Sequence, residues 1–542
     1  MIADSFNKFF ANVGPTLSEK IPKGRNFQHF LNEVDKPEKV FRLHEVNDFI
    51  IRAVIKRFKN KKSSGMDGFS NKVLKDICPE ILPHLTKVIN LSIRTGQIPV
   101  FMKTARIIPV FKKGDDRDLN NYRPISILSV FGKVLEKVVE KQLRDYLEDN
   151  NLLFKNQFGF RSNFSTNDAL LKLMDFVSKG INSGEKVLAI FLDLKKAFDT
   201  CNHDILLHKL EYYGIKGVAL VWFHNYIKNR QQYTTFGADK SKKEDISCGV
   251  PQGSILGPLL FLVYVNDIDR VSDFLKILYC DDTTLAASNR SVTELFEYAN
   301  HQLNIISEWF ASNKLTLHPS KTYFVLFNSS GSSGTLPKLE LCGHAIAQIS
   351  SSSDDIDLQA IKYVGVLIDE KLSFKPHIES IRKRAQKYIF MINRAKKFVP
   401  QNVKVLLFNA LIKSLIEYGI VVWGSCCKYS LQPLVKIQKK AIRSIHNVSY
   451  CYHTLPLFQS SKIMQIGELI VFNYLKTAFR IWNNKVPVTI CDDFCKTYET
   501  ITRGNKFRFH EAIPRTELVK RLPHYRITKC WNGIDSERKL MQ

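Results

Sequence analysis

Several common features are missing from this 542-residue sequence, and each absence narrows its reading. No uninterrupted apolar run approaches the roughly 18 residues that a membrane-spanning helix needs, so the chain is expected neither to span a membrane nor to act there. Asp4 stands early, with no basic-then-apolar segment around it, which argues against a secretory signal. Cysteine is sparse and odd in number, eleven residues scattered mostly through apolar segments. That pattern reads as reduced thiols in an intracellular chain and not as a disulfide framework. Cys426, Cys427, Cys451 and His453 come nearest to a zinc cluster, but they lack the close-pair spacing of structural sites. There is no internal repeat. Acid is also in deficit: 52 acidic residues against 79 basic ones leave a formal charge of +27. This excess predicts a polyanionic partner, nucleic acid before all others. With 44% hydrophobic and 11% aromatic residues the chain is expected to be globular, with a large core and several subdomains.

The organising stretch is Tyr279-Cys280-Asp281-Asp282, a carboxylate pair between the apolar run Phe274 to Leu278 and the stretch Thr283 to Ala287. Strand-like residues on both sides predict a hairpin with the two acids at its tip. Asp is a common turn former, so the pair alone carries little. A second acidic segment, Ala189 to Asp199, changes its weight, because Asp193 there ends a buried-type strand. Asp193, Asp281 and Asp282 could together hold two divalent ions about 3.5–4 Å apart, the arrangement used for nucleotidyl transfer. All-oxygen ligands and phosphate co-ligands point to Mg2+, with Mn2+ as a substitute.

Phe191-Leu192-Asp193 with Ala197-Phe198-Asp199, then Gly249-Val250-Pro251-Gln252-Gly253-Ser254, then Tyr279-Cys280-Asp281-Asp282 resemble successive reverse transcriptase motifs in order and spacing. Asn121-Tyr122-Arg123-Pro124-Ile125-Ser126 and Leu256-Gly257-Pro258-Leu259-Leu260-Phe261 narrow the resemblance to the polymerases of Jockey-like retrotransposons without long terminal repeats. The family-like stretches run from about Phe69 to Asp369. The resemblance implies an α+β right-hand polymerase: an N-terminal extension over 1–42, fingers over 43–170, a palm over 171–375, a helical thumb over 376–450 and a C-terminal extension over 451–542. It also implies an RNA template, a DNA primer or target, deoxynucleoside triphosphates, and a nuclear or cytoplasmic ribonucleoprotein setting. Met1 to Gly24, an amphipathic helix pattern, resembles the segment that follows the endonuclease of such elements, or is a plain packing helix. In the former case target cleavage must be supplied by another chain.

Individual residues follow from the same resemblance. Thr104 to Phe111 reads as a strand, and with Leu119 to Arg123 returning it resembles a fingertip hairpin over the incoming nucleotide. Lys112 or Lys113 would neutralise triphosphate, and Arg123 would offer a planar fork. Phe198 takes the place of a ring that blocks a sugar 2′-hydroxyl, and Gln252 and Gly253 shape the nucleotide pocket. Asp199 is expected to cap the helix from about Asp204 to Tyr213, and His203 to be structural. Lys321 lies where a general acid would serve departing pyrophosphate. Cys280, where the family often has alanine, is expected to be thiol-sensitive. Arg161 is a template contact or a surface arginine. The helix pattern Phe131 to Asp149 has one basic side, and Tyr363 to Leu367 reads as a strand resembling the primer grip. Leu431 to Ile445 divides into a buried face and a cationic face carrying Lys436, Lys439, Lys440 and Arg443, as in a thumb along a duplex or a merely solvated helix. The competing reading is an inactive relic of such an element that still binds nucleic acid.

Overall fold

The run Lys186–Leu192 has no polar residue after its first, and strands of that composition are covered on both faces. In the computed structural model, which describes residues 2–21, 26–31, 36–327, 336–395, 397–497 and 508–534, it is the centre of a five-stranded sheet. The sheet order is Ala347–Gln348, Tyr323–Phe327, Lys186–Leu192, Asp282–Asn289, Leu275–Tyr279. The centre strand is antiparallel to both neighbours, with Phe191 registered against Thr284 on one side and Tyr323 on the other. The fold is mixed, with β-sheets and many helices.

The chain forms two compact units that interleave in sequence. One comprises Met1–Phe160, Asp193–Asp273 and Gln302–His318; the other comprises Arg161–Leu192, Phe274–His301 and Pro319–Gln542.

In the first unit Thr104–Phe111 pairs antiparallel with Tyr122–Ile127 and parallel with Arg230–Phe236. The helix Ile2–Glu19 buries Phe6 and Phe10 against Ala105, Ile107, Tyr122 and Leu128, so it is a packing helix of this unit. Asn47 caps the helix Asp48–Arg57 by accepting from the Ile50 amide at 3.1 Å. Every residue of Gly257–Val265 but Pro258 is buried, as an all-apolar helix requires. It is tied to the helix His203–Tyr212 by a fully buried pair, Lys209 Nζ to Asp267 at 2.6 Å, with a second bond from Nζ to the Tyr264 carbonyl. The expected basic side of Val130–Asp149 is largely neutralised. Lys137 and Arg144 both hold Glu140, and Lys141 holds Asp145.

In the second unit the sheet is backed by the helix Thr166–Asn182, where Gly180 leaves no room for a side chain beside Val187. Tail residues dock on the same helix: Asp493 accepts from Lys172 at 2.7 Å and Lys179 at 2.8 Å, and His524 meets Asp175 at 2.6 Å. Tyr363 to Leu367 is not one strand. Ile361–Tyr363 and Val366–Ile368 form a hairpin turning at Val364 (φ 40°) and Gly365 (φ 88°), with the Tyr418 hydroxyl bonded to the Val364 carbonyl at 2.6 Å. The Ser/Gly-rich stretch at 329–335 and the basic positions Arg503 and Lys506 lie outside the described residues. Among the described residues no helix is long and apolar enough to cross a membrane.

Candidate active site

The strands Leu275–Tyr279 and Asp282–Asn289 are joined by Cys280 and Asp281 alone, and the last ladder pair is Tyr279 with Asp282. Cys280 takes a left-handed φ of 65°, which lets two residues reverse the chain. Asp281 is half-buried and Asp282 exposed at the tip. Cys280 itself is buried, and burial, reinforced by the Asp281 charge, pushes its thiol far above the ordinary range. The expectation of a thiol-sensitive site is thereby corrected, because a reactive cysteine needs access and thiolate character.

Leu192 is registered against Thr283, so the centre strand ends level with the acidic tip, and the next residue in the chain is Asp193. The Asp193 carbonyl accepts from the His318 amide at 2.9 Å. Tyr323–Phe327 begins at the same end of the sheet, with exposed Lys321 in the short turn Pro319–Lys321 just before it. Among the described residues no three His, Cys, Asp or Glu side chains stand ready as a metal cage. Adjacent carboxylates at a strand end still suit hard divalent ions that take their remaining oxygens from phosphate. The donor set therefore suits a hard divalent ion.

The first unit holds the expected nucleotide contacts. In the fingertip hairpin Val110 is registered against Arg123, and Lys112, Lys113 and Arg123 are all exposed. The turn is braced from within by Asn121 Nδ2 to the Asp115 carbonyl and Tyr122 Oη to the Asp116 carbonyl, both 2.9 Å. Lys196 joins this group, and sequence reasoning missed it. Its backbone is left-handed (φ 52°), and its Nζ lies 3.4 Å from the Tyr122 carbonyl and 5.7 Å from the Phe9 ring centre. Burial lowers its pKa, and the Lys112 and Arg123 charges act in the same direction against the pull of Asp199. The signal available was the lysine pair Lys195-Lys196, two and three residues after Asp193.

The loop 249–258 is held by its backbone. Gly253 has φ 123°, and a Cβ there would stand 2.5 Å from the Ser126 carbonyl oxygen; the Ser126 amide in turn donates to the Gln252 carbonyl at 2.8 Å. At Gly249 (φ 86°) a Cβ would stand 2.9 Å from the Asp199 carbonyl oxygen. Buried Glu136 accepts from the Ile255 amide at 2.7 Å and the Tyr226 hydroxyl at 2.8 Å, fixing the far end of the loop. The Gln252 amide donates to both Asp199 carboxylate oxygens, at 2.9 and 3.0 Å. Asp199 is therefore no helix cap. Asn202 caps His203–Tyr212 by accepting from the Asp204 and Ile205 amides, both at 3.0 Å. Burial pushes the Asp199 carboxyl up to about 6, against the Gln252 hydrogen bond and the Lys196 charge. His203 is structural: buried, pushed down to about 4 mainly by burial, and bonded through Nε2 to the Gly249 carbonyl at 2.9 Å. Phe198 stacks on Phe261 at 4.6 Å and meets Phe160 edge-on at 6.4 Å, so its ring is held in one orientation.

In the second unit the Arg161 guanidinium lies 4.1 Å from the Phe164 ring centre. The helix Lys428–His446 buries Leu434, Ile437, Ala441 and Ile445 and exposes Lys436, Lys439 and Lys440, while half-buried Arg443 donates to the Tyr452 carbonyl at 2.9 Å.

Residues 110–368 match the family model described as reverse transcriptase (RNA-dependent DNA polymerase). In Drosophila melanogaster the chain is similar to the "Probable RNA-directed DNA polymerase from transposon BS", 27% identical over 457 residues, covering 81% of this chain and 48% of that protein. It is likewise similar to the RNA-directed DNA polymerase from mobile element jockey, 26% identical over 431 residues, with 77% and 46% covered. The polymerase of transposon X-element is 26% identical over 454 residues, with 81% and 47% covered. The chain thus spans about half the length of the curated relatives it matches.

Proposed function

We propose, for a chain that carries a reverse transcriptase domain over residues 110–368, that it is the RNA-directed DNA polymerase of a retrotransposon without long terminal repeats. The observation that carries this reading is the strand register, which sets Asp281 and Asp282 level with the strand end leading to Asp193 inside a matching family domain. In this reading the residues form fingers over 43–170, a palm over 171–375 and a thumb over 376–450, flanked by extensions over 1–42 and 451–542.

Asp193, Asp281 and Asp282 would hold divalent metal, with Mg2+ the ion their oxygen donors suit. Metal bound there would supply Lewis acidity toward the primer 3′-hydroxyl and charge neutralisation toward pyrophosphate. Lys112, Lys113 and Arg123 receive the triphosphate, with Lys196 beside them. Phe198 excludes a 2′-hydroxyl by bulk, and Gln252 and Gly253 line the pocket from the loop that Asp199 and Ser126 hold. Lys321 gives a proton to the leaving pyrophosphate. Arg161, Lys436, Lys439, Lys440 and Arg443 take nucleic-acid phosphates, in keeping with a formal charge of +27. The partners are an RNA template, a DNA primer and deoxynucleoside triphosphates, in a nuclear or cytoplasmic ribonucleoprotein. The relic reading is not favoured, since every acidic and cationic position the chemistry needs is filled.

The test is extension of a DNA primer annealed to RNA. Mg2+-dependent incorporation of deoxynucleotides is the expected result; a folded protein that binds the hybrid and never extends it would refute the assignment.

A further inference from the structure

The helix Lys428–His446 presents more than charge on its outer face. Tyr429, Lys436, Lys440 and Arg443 recur at intervals of seven, four and three residues, with Lys439 at the edge of the same face, so they share one stripe. From Tyr429 to Arg443 the stripe is about 21 Å long at 1.5 Å per residue. Tyr429 is 85% exposed at one end, and Tyr450, just beyond the other end, is 79% exposed. Tyr450 is held in place, with the Arg443 guanidinium 5.3 Å from its ring centre and Arg443 Nε bonded to the Tyr452 carbonyl at 2.9 Å. The opposite helix face is buried, which keeps the stripe turned outward.

Two exposed rings at the ends of a cationic row ask for a ligand with both phosphate and open aromatic faces. A duplex satisfies only the lysines, because its bases are already paired and stacked inside the helix. Unpaired bases satisfy both, since a base stacks on an aromatic side chain whatever its sequence. We propose that this stripe binds single-stranded RNA, with phosphates on Lys436, Lys439 and Lys440 and bases stacked on Tyr429 and Tyr450. The inference rests on the polymerase reading, in which uncopied template is the unpaired strand at hand.

Fluorescence anisotropy with the full chain tests it, using a labelled unstructured RNA and a labelled RNA–DNA hybrid as probes. Tyr429→Ala and Tyr450→Ala are each expected to weaken binding of the single strand about 5- to 150-fold while hybrid affinity changes less than about twofold, and Tyr→Phe at either position should retain it. Equal losses on both probes, or an unchanged single-strand affinity in the double alanine variant, would overturn the proposal. Primer extension by the unaltered protein reports on the polymerase reading separately. Extension without a single-strand loss removes the stripe alone, and a single-strand loss without extension removes the polymerase alone.

Discussion

Asp199→Asn probes how the loop carrying Gln252 is held. Asp199 accepts both bonds of the Gln252 amide, and burial pushes its carboxyl from an ordinary 3.8 to about 6. Between those values the folded chain keeps a proton that the unfolded chain has released. Stability therefore falls as pH rises through this window and stays lowered above it. At about 1.4 kcal/mol per pH unit, the gap amounts to roughly 3 kcal/mol of destabilisation near neutral pH. Asparagine carries no charge and keeps an oxygen for the amide. Thermal midpoints of the variant and the native chain should then nearly coincide at about pH 4, and the variant should lead by several degrees at about pH 7, taking roughly 2 °C per kcal/mol. A difference that is flat across this range, or that grows as pH falls, would refute the argument that the fold buries this carboxylate at a cost.

Three further outcomes are expected. Gly253→Ala forces a side chain into a positive-φ position against the Ser126 carbonyl, a strain of about 1–3 kcal/mol, and should cut primer extension while most of the fold survives, as read by kinetics beside a melting curve. Buried His203 is pushed down to about 4, so the unfolded chain binds the extra proton between there and 6.5. Its contribution is complete above pH 6.5 and is lost as pH falls, by roughly 3 kcal/mol, and His203→Gln should flatten that acid limb of the melting-temperature profile. Phe198→Ala removes the ring stacked on Phe261 and should raise ribonucleotide incorporation at least about tenfold relative to deoxynucleotide, measured by competitive extension.

The elements that were legible in sequence are those whose signal is local. Thr104–Phe111 and Lys186–Leu192 announce themselves by apolar, β-branched runs, and the Asp281 tip by a turn between two such runs. Asp199 was misread because its partner, Gln252, is 53 residues away, whereas the cap it was expected to supply comes from Asn202. Val364 looks like a strand residue, and its positive φ accompanies a bond from Tyr418, 54 residues on. The docking of the tail on Thr166–Asn182 joins residues more than three hundred positions apart, as in Lys172 with Asp493. By contrast, the neutralised side of Val130–Asp149 was readable, since Glu140 and Asp145 lie three or four residues from their lysines and arginine.

The central claim is that the acidic strand ends perform templated DNA synthesis. The most direct measurement compares primer extension on RNA, with Mg2+, by the native chain and by Asp281→Asn, each first shown to fold and to bind the hybrid. Extension by the native chain and a loss of about a hundred- to a thousandfold in the variant are expected, the scale seen when a group acting on the transition state is removed. Equal extension by both would contradict the claim, because the chemistry would then lie elsewhere in the chain.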